Sequence, residues 1–134
     1  MRKGQWVRVP QRVRGLPTAG EKAHIIAACD KFAAEVLKPR FLPQIRPTEF
    51  NYPVDIYGKW RDGRYSFIER FRSDSPNVIE PEFEHAFTRL DYLAPDRFNV
   101  YWHRHTGAWF RLYPSVSLIE ALRCIEQDEF LHPT

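Results

Sequence analysis

The sequence predicts an α+β fold, a two-layer sandwich in the order helix, five-stranded antiparallel sheet, helix. Three observations carry this. A capped stretch with a helical apolar period lies near the start of the chain, a long block of period-two alternation broken by turn residues fills its middle, and a second capped amphipathic stretch closes it.

The first helix is read from "PTAGEKAHIIAACDKFAAEVLKP". Thr18 and Glu21 form a capping box, in which the hydroxyl and the carboxylate each satisfy a backbone N–H that the helix start leaves unpaired. Ile25, Cys29, Phe32 and Val36 recur at helical spacing and are joined by Ile26, Ala33 and Leu37, so one face must pack on something. Pro39 is expected to end the helix, and "RFLPQIRP" to follow as a stiff connection.

From Phe50 the period changes to two. Asp62-Gly63 sits between two alternating runs and predicts a hairpin with a primed turn, in which Arg61 faces Arg64 and Trp60 faces Tyr65. One side of this ribbon carries Val54, Ile56, Trp60, Tyr65, Phe67 and Phe71, with Glu69 as its only acid. The other carries Tyr57, Lys59, Arg61, Arg64, Ser66, Ile68, Arg70 and Arg72 and reads as basic. "SDSPNVIEPE" is a loop and "EFEHAFTRLDY" a third strand. "LAPD" turns the chain into "RFNVYWHRH", and Thr106-Gly107 turns it again into "AWFRLY". In "SVSLIEALRCIEQD", Ser117 and Glu120 repeat the capping box, and Leu118, Ala121, Leu122 and Ile125 form one stripe.

Composition narrows the classes. With 134 residues, 43% of them hydrophobic and 15% aromatic, the chain can fill one core without metal or disulfide staples. The expected organisation is a basic N-terminal arm over residues 1–18 and one α+β domain over 19–134. No run approaches a membrane span and the N-terminus lacks a signal-peptide core, so a soluble, unexported, cytoplasmic protein is expected, with no membrane partner. Cys29 and Cys124 stand far apart inside helical stretches and read as buried reduced thiols, not as a disulfide or a zinc site. Of the net charge of +3, the first twenty residues hold five cations (Arg2, Lys3, Arg8, Arg12, Arg14) and no acid, which leaves the rest of the chain at −2. Bulk charge therefore gives no strong case for nucleic acid. There is no Gly-rich phosphate loop, nucleophile elbow or Cys-x-x-Cys pair, and no cofactor is expected.

"LKPRFLPQIRPTEFNYPVDIYGKW", "FTRLDY" and "WHRHTGAWF" followed by "SLIEAL" resemble a family of small bacterial proteins catalogued as domains of unknown function, from roughly residue 25 to the end. The resemblance implies a bacterial source and a single compact α+β domain. It brings no established activity and no catalytic residues.

The stretch "WHRHTGAWF" carries the candidate site. With Thr106-Gly107 as a two-residue loop, Arg104 pairs with Trp109 and Trp102 with Arg111, which puts Trp102, Arg104, Trp109, Arg111 and Tyr113 on one side and His103 and His105 on the other. Two histidines at i and i+2 on a strand could share a divalent ion if a third ligand came from His85, Glu69, Glu82 or Glu84, and a hydrolase would need an open coordination position besides. The Trp and Arg side could stack bases and meet phosphates, with the arm and Lys59, Arg61, Arg64, Arg70 and Arg72 adding contacts. The reading favoured here is non-enzymatic. Two short helices cover one face of a five-stranded sheet, leaving Trp102, Trp109, Tyr113, Tyr57 and Ile68 exposed for a homodimer or a protein partner, unless Trp6, Val7 and Val9 of the arm fold back over them.

Overall fold

The computed structural model describes residues 15–134. Its order is the expected one: a helix, five antiparallel strands and a second helix. Residues 1–14, which hold most of the basic arm and its Trp6, Val7 and Val9, lie outside the described part, and so does the expectation that they cover the sheet.

Helix α1 (Ala19–Phe32) opens on the Thr18–Glu21 capping box and buries Ile25, Cys29 and Phe32. It does not stop before Pro39. The backbone passes through a π turn at Ala33–Leu37 and resumes as a short helix α2 (Lys38–Phe41), with Pro39 in its first turn. The Lys38 N–H donates five residues back to the Ala33 carbonyl. That register change places Pro39 where a first-turn proline is tolerated, because its missing N–H is one a helix start leaves unpaired anyway.

The strands are β1 (Tyr52–Arg61), β2 (Arg64–Arg72), β3 (Glu82–Ala94), β4 (Arg97–His103) and β5 (Trp109–Val116). Their order across the sheet is their order in the chain. The first hairpin keeps the expected register, with Arg61 opposite Arg64 and Trp60 opposite Tyr65. Asp62 and Gly63 take φ of 51° and 80°, as a primed turn requires. Bulges interrupt the alternation elsewhere, at Pro53/Asp55, at Phe67/Ile68 against β3, and at two points along β4 and β5.

Helix α3 (Leu118–Gln127) starts on the Ser117–Glu120 capping box and buries Leu118, Ala121 and Ile125. A 3-10 turn, Glu129–Leu131, follows. Both helices pack on the same face of the sheet, where their apolar residues share one core with Ile56, Tyr65, Phe67, Phe87, Leu90, Tyr92, Phe98 and Val100. Phe32 of α1 meets the Phe67 ring edge-on at 6.0 Å. The Tyr65 ring crosses the backbone of Gly58, and its hydroxyl donates to Asp30 of α1 at 2.6 Å. Buried polar groups on this side are satisfied: Thr88 donates to the Leu131 carbonyl at 2.8 Å, and Glu69 accepts both the backbone N–H and the hydroxyl of Thr134, each at 2.8 Å.

Both cysteines are free thiols, as expected, although only Cys29 is fully buried and Cys124 is half-buried. Burial, reinforced by Asp30, pushes the Cys29 thiol up to about 12, so it is no nucleophile. Among the described residues no helix is long and apolar enough to cross a membrane.

Candidate functional site

The second hairpin departs from the two-residue loop that Thr106-Gly107 suggests. The Arg104 N–H donates to the Ala108 carbonyl and the Gly107 N–H donates to the Arg104 carbonyl, both at 2.9 Å, while Gly107 takes φ of 89°. The loop therefore has three residues, His105, Thr106 and Gly107, with glycine at the left-handed position. The register moves by one residue: His103 faces Trp109, Trp102 faces Phe110 and Tyr101 faces Arg111. A further irregularity pairs Val100 with Tyr113.

The shift divides the expected contact surface. Trp102 and Tyr113 lie on the helix side of the sheet, not on the face opposite. Trp102 packs on Phe130 at 4.6 Å and edge-on against Phe110 at 6.4 Å, with the Arg104 guanidinium 5.5 Å above its ring. The Tyr113 hydroxyl donates to Asp128 beyond α3 at 2.6 Å. Trp109 and Arg111 lie on the other face and are joined there by Tyr101 and His103. His105 stays at the exposed loop tip.

Around His103 the structure assembles a column of rings. His103 lies between His85 and Trp109, with centroids 5.0 Å and 4.3 Å away and planes 18° and 13° from parallel. The Arg89 guanidinium sits 4.7 Å from the Trp109 ring centroid and 4.5 Å from that of Tyr101. Two hydrogen bonds to Asp91, at 2.7 and 3.1 Å, fix it. The His103 Nδ1–H donates to the Ala86 carbonyl at 2.6 Å, and its Nε2 lies 3.3 Å from the Gly107 carbonyl. Burial, and then the adjacent His103 ring, hold His85 below the ordinary histidine range.

His103 and His105 do not converge, since one ends a strand and the other belongs to the loop. Among the described residues no group of three or more His, Cys, Asp and Glu side chains is placed to hold a metal ion. The side of the first hairpin that reads as basic is balanced by acids from β3 and the turn. Lys59 pairs with Glu84 at 2.8 Å, Arg72 with Glu82 at 2.6 Å, Arg64 with Asp91 at 3.6 Å, Arg61 with Asp62 at 3.7 Å, and Arg70 reaches Glu84 at 3.8 Å.

Sequence reasoning missed Arg89, Tyr101 and Asp91 as members of this face. Arg89-x-Asp91 in "FTRLDY" was the available signal, because residues two apart on a strand point the same way.

The sequence pattern of a domain of unknown function, DUF3024, matches residues 16–132. The chain belongs to this family. The match takes in α1, all five strands and α3, so the ring column and the helix layer are both parts of the DUF3024 domain. No curated protein and no solved structure matches the chain.

Proposed function

We propose that this DUF3024 protein is a non-enzymatic binding protein of the bacterial cytoplasm, and that the sheet face opposite the helices is its contact surface, joining it to a second copy of the chain. The observation that carries this is the stacked pair of His103 and Trp109, flanked by Arg89 and Tyr101. Aromatic and arginine side chains supply most of the energy at protein contacts, and rings already fixed by stacking and hydrogen bonds lose little freedom on association. The two unpaired cysteines suit a reducing compartment. Nucleic acid is the weaker reading, since Lys59, Arg61, Arg64, Arg70 and Arg72, the part of the expected phosphate-binding set that lies within the described residues, already sit beside carboxylates that a phosphate would have to displace.

The test is the solution mass of the full chain by size exclusion with light scattering, beside the Tyr101→Ala/Trp109→Ala double variant. A dimer in the parent and a folded monomer in the variant is the expected result. A parent that stays monomeric at high concentration, or a variant that dimerises equally well, overturns the proposal.

A further inference from the structure

The helix layer is not closed. Between the N-terminal halves of α1 and α3 lies a cleft of about 510 Å³, walled by Ile25, Ala28, Leu118 and Leu122 and floored by Tyr92 and Phe98. Small-molecule sites typically measure about 300–1,000 Å³ and combine apolar walls with a few placed polar groups. The walls here are fixed from both ends. A capping box anchors the start of each helix, the Tyr92 hydroxyl donates to Glu21 at 3.0 Å, and Asp96 in the β3–β4 turn accepts the Leu118 N–H at 2.9 Å.

The charges at the mouth decide what such a cleft would take. Two helix starts side by side would ordinarily favour an anion. Here each is already served by this chain's own carboxylates: Glu21 accepts the Thr18 N–H, Glu120 accepts the Ser117 N–H, and Asp96 takes the next N–H of α3. Glu21 and Asp96 line the cleft together with His24, whereas among the described residues no lysine or arginine does. The Thr18 backbone bond holds the Glu21 carboxyl below its ordinary value, so it is ionised at neutral pH. Among the described residues, an incoming anion would meet two carboxylates and no lysine or arginine to balance them.

We infer that this cleft binds a small amphipathic cation, with an apolar ring or branched chain between the two helices and an ammonium group at the mouth beside Glu21 and Asp96. The site lies on the helix side of the sheet, so it stands or falls separately from the contact face proposed above.

Three probes of similar size test it by amide chemical-shift titration of the full chain at neutral pH: 2-phenylethylamine, the neutral 2-phenylethanol and the anionic 3-phenylpropionate. The amine should shift the Ile25, Ala28 and Leu122 amides saturably and bind about ten-fold more tightly than the anion. Asp96→Asn should weaken the amine several-fold and leave the alcohol unchanged. Ala28→Trp, which fills the cleft, should abolish binding of both while the remaining spectrum stays dispersed. No saturable shift with about 10 mM amine, equal binding of amine and anion, or an Asp96→Asn variant that binds the amine as tightly as the parent would each overturn the inference.

Discussion

The Trp109 indole lies flat on the His103 imidazole, with centroids 4.3 Å apart and planes 13° from parallel. His85 covers the opposite side of the same imidazole at 5.0 Å. This column depends on the three-residue loop, because a two-residue loop would put Phe110 opposite His103 and send Trp109 to the helix side.

The column makes stability depend on pH through His85. Its folded-state value lies below the unfolded value of about 6.5, so the unfolded chain binds more protons as the solution is acidified. The His85 contribution is intact above about pH 6.5 and is lost as pH falls toward the lowered folded value. His85→Gln should flatten the slope of unfolding free energy against pH between about 7 and 5, measured by urea denaturation. An unchanged slope would place the titration elsewhere.

Glu69 acts with the opposite sign. Desolvation raises its value in the folded state above that of an exposed glutamate, so the folded protein holds the proton more tightly. Its penalty is absent below the unfolded value of about 4.3 and grows as pH rises through the folded one. Glu69→Gln keeps an acceptor for both Thr134 bonds and carries no charge. It should therefore be the more stable form at neutral pH and lose that advantage on acidification. A variant destabilised by the same amount at every pH would refute this.

Gly58 has no side chain because Tyr65 occupies the space. A Cβ there would overlap the Tyr65 ring and hydroxyl. Gly58→Ala must push the ring off Asp30 and should cost about 1–3 kcal/mol in chemical denaturation. A cost within experimental error would mean that the Tyr65–Asp30 bond tolerates displacement.

The capping boxes should contribute equally. Thr18→Ala and Ser117→Ala each remove the hydroxyl that accepts the N–H of the third helical residue, at 3.1 Å in both helices. Each should cost about 1 kcal/mol, seen as a shift in the denaturation midpoint with unchanged slope.

The elements most legible in the sequence were those written in adjacent residues. Thr18 with Glu21, Ser117 with Glu120, and Asp62-Gly63 each specify a local geometry almost unaided, and they locate both helix starts and the first hairpin's register. What escaped is what one inserted residue does to a period of two. Alternation carries no mark of a bulge, so the irregularity near Leu112 sent Tyr113 to the helix side although Trp109 and Arg111 remained on the other. Thr106-Gly107 fits a two-residue and a three-residue loop equally well from sequence, and the choice between them decides which Trp faces which His. Charge balance on the first hairpin was hidden for another reason: apart from Asp62 in its own turn, its carboxylates come from a strand ten or more residues further along. Pro39 misled because a π turn lets the helix absorb it.

Sheet order that repeats chain order has a kinetic consequence. Among the described residues, three of the four strand pairings close through a turn of two to five residues and the fourth spans Ser73–Pro81, so none of these pairings waits for a distant segment to return. Such local closure costs little chain entropy and permits the sheet to grow one hairpin at a time. Helix α1 is the exception. It is made first in the chain, yet it packs on Phe67 and bonds to Tyr65, thirty-five positions beyond Asp30, and it also meets Tyr92 from the third strand. The late step in folding is then the docking of α1 onto a sheet already paired, and substitutions at Tyr65 should change the rate of unfolding more than the rate of folding.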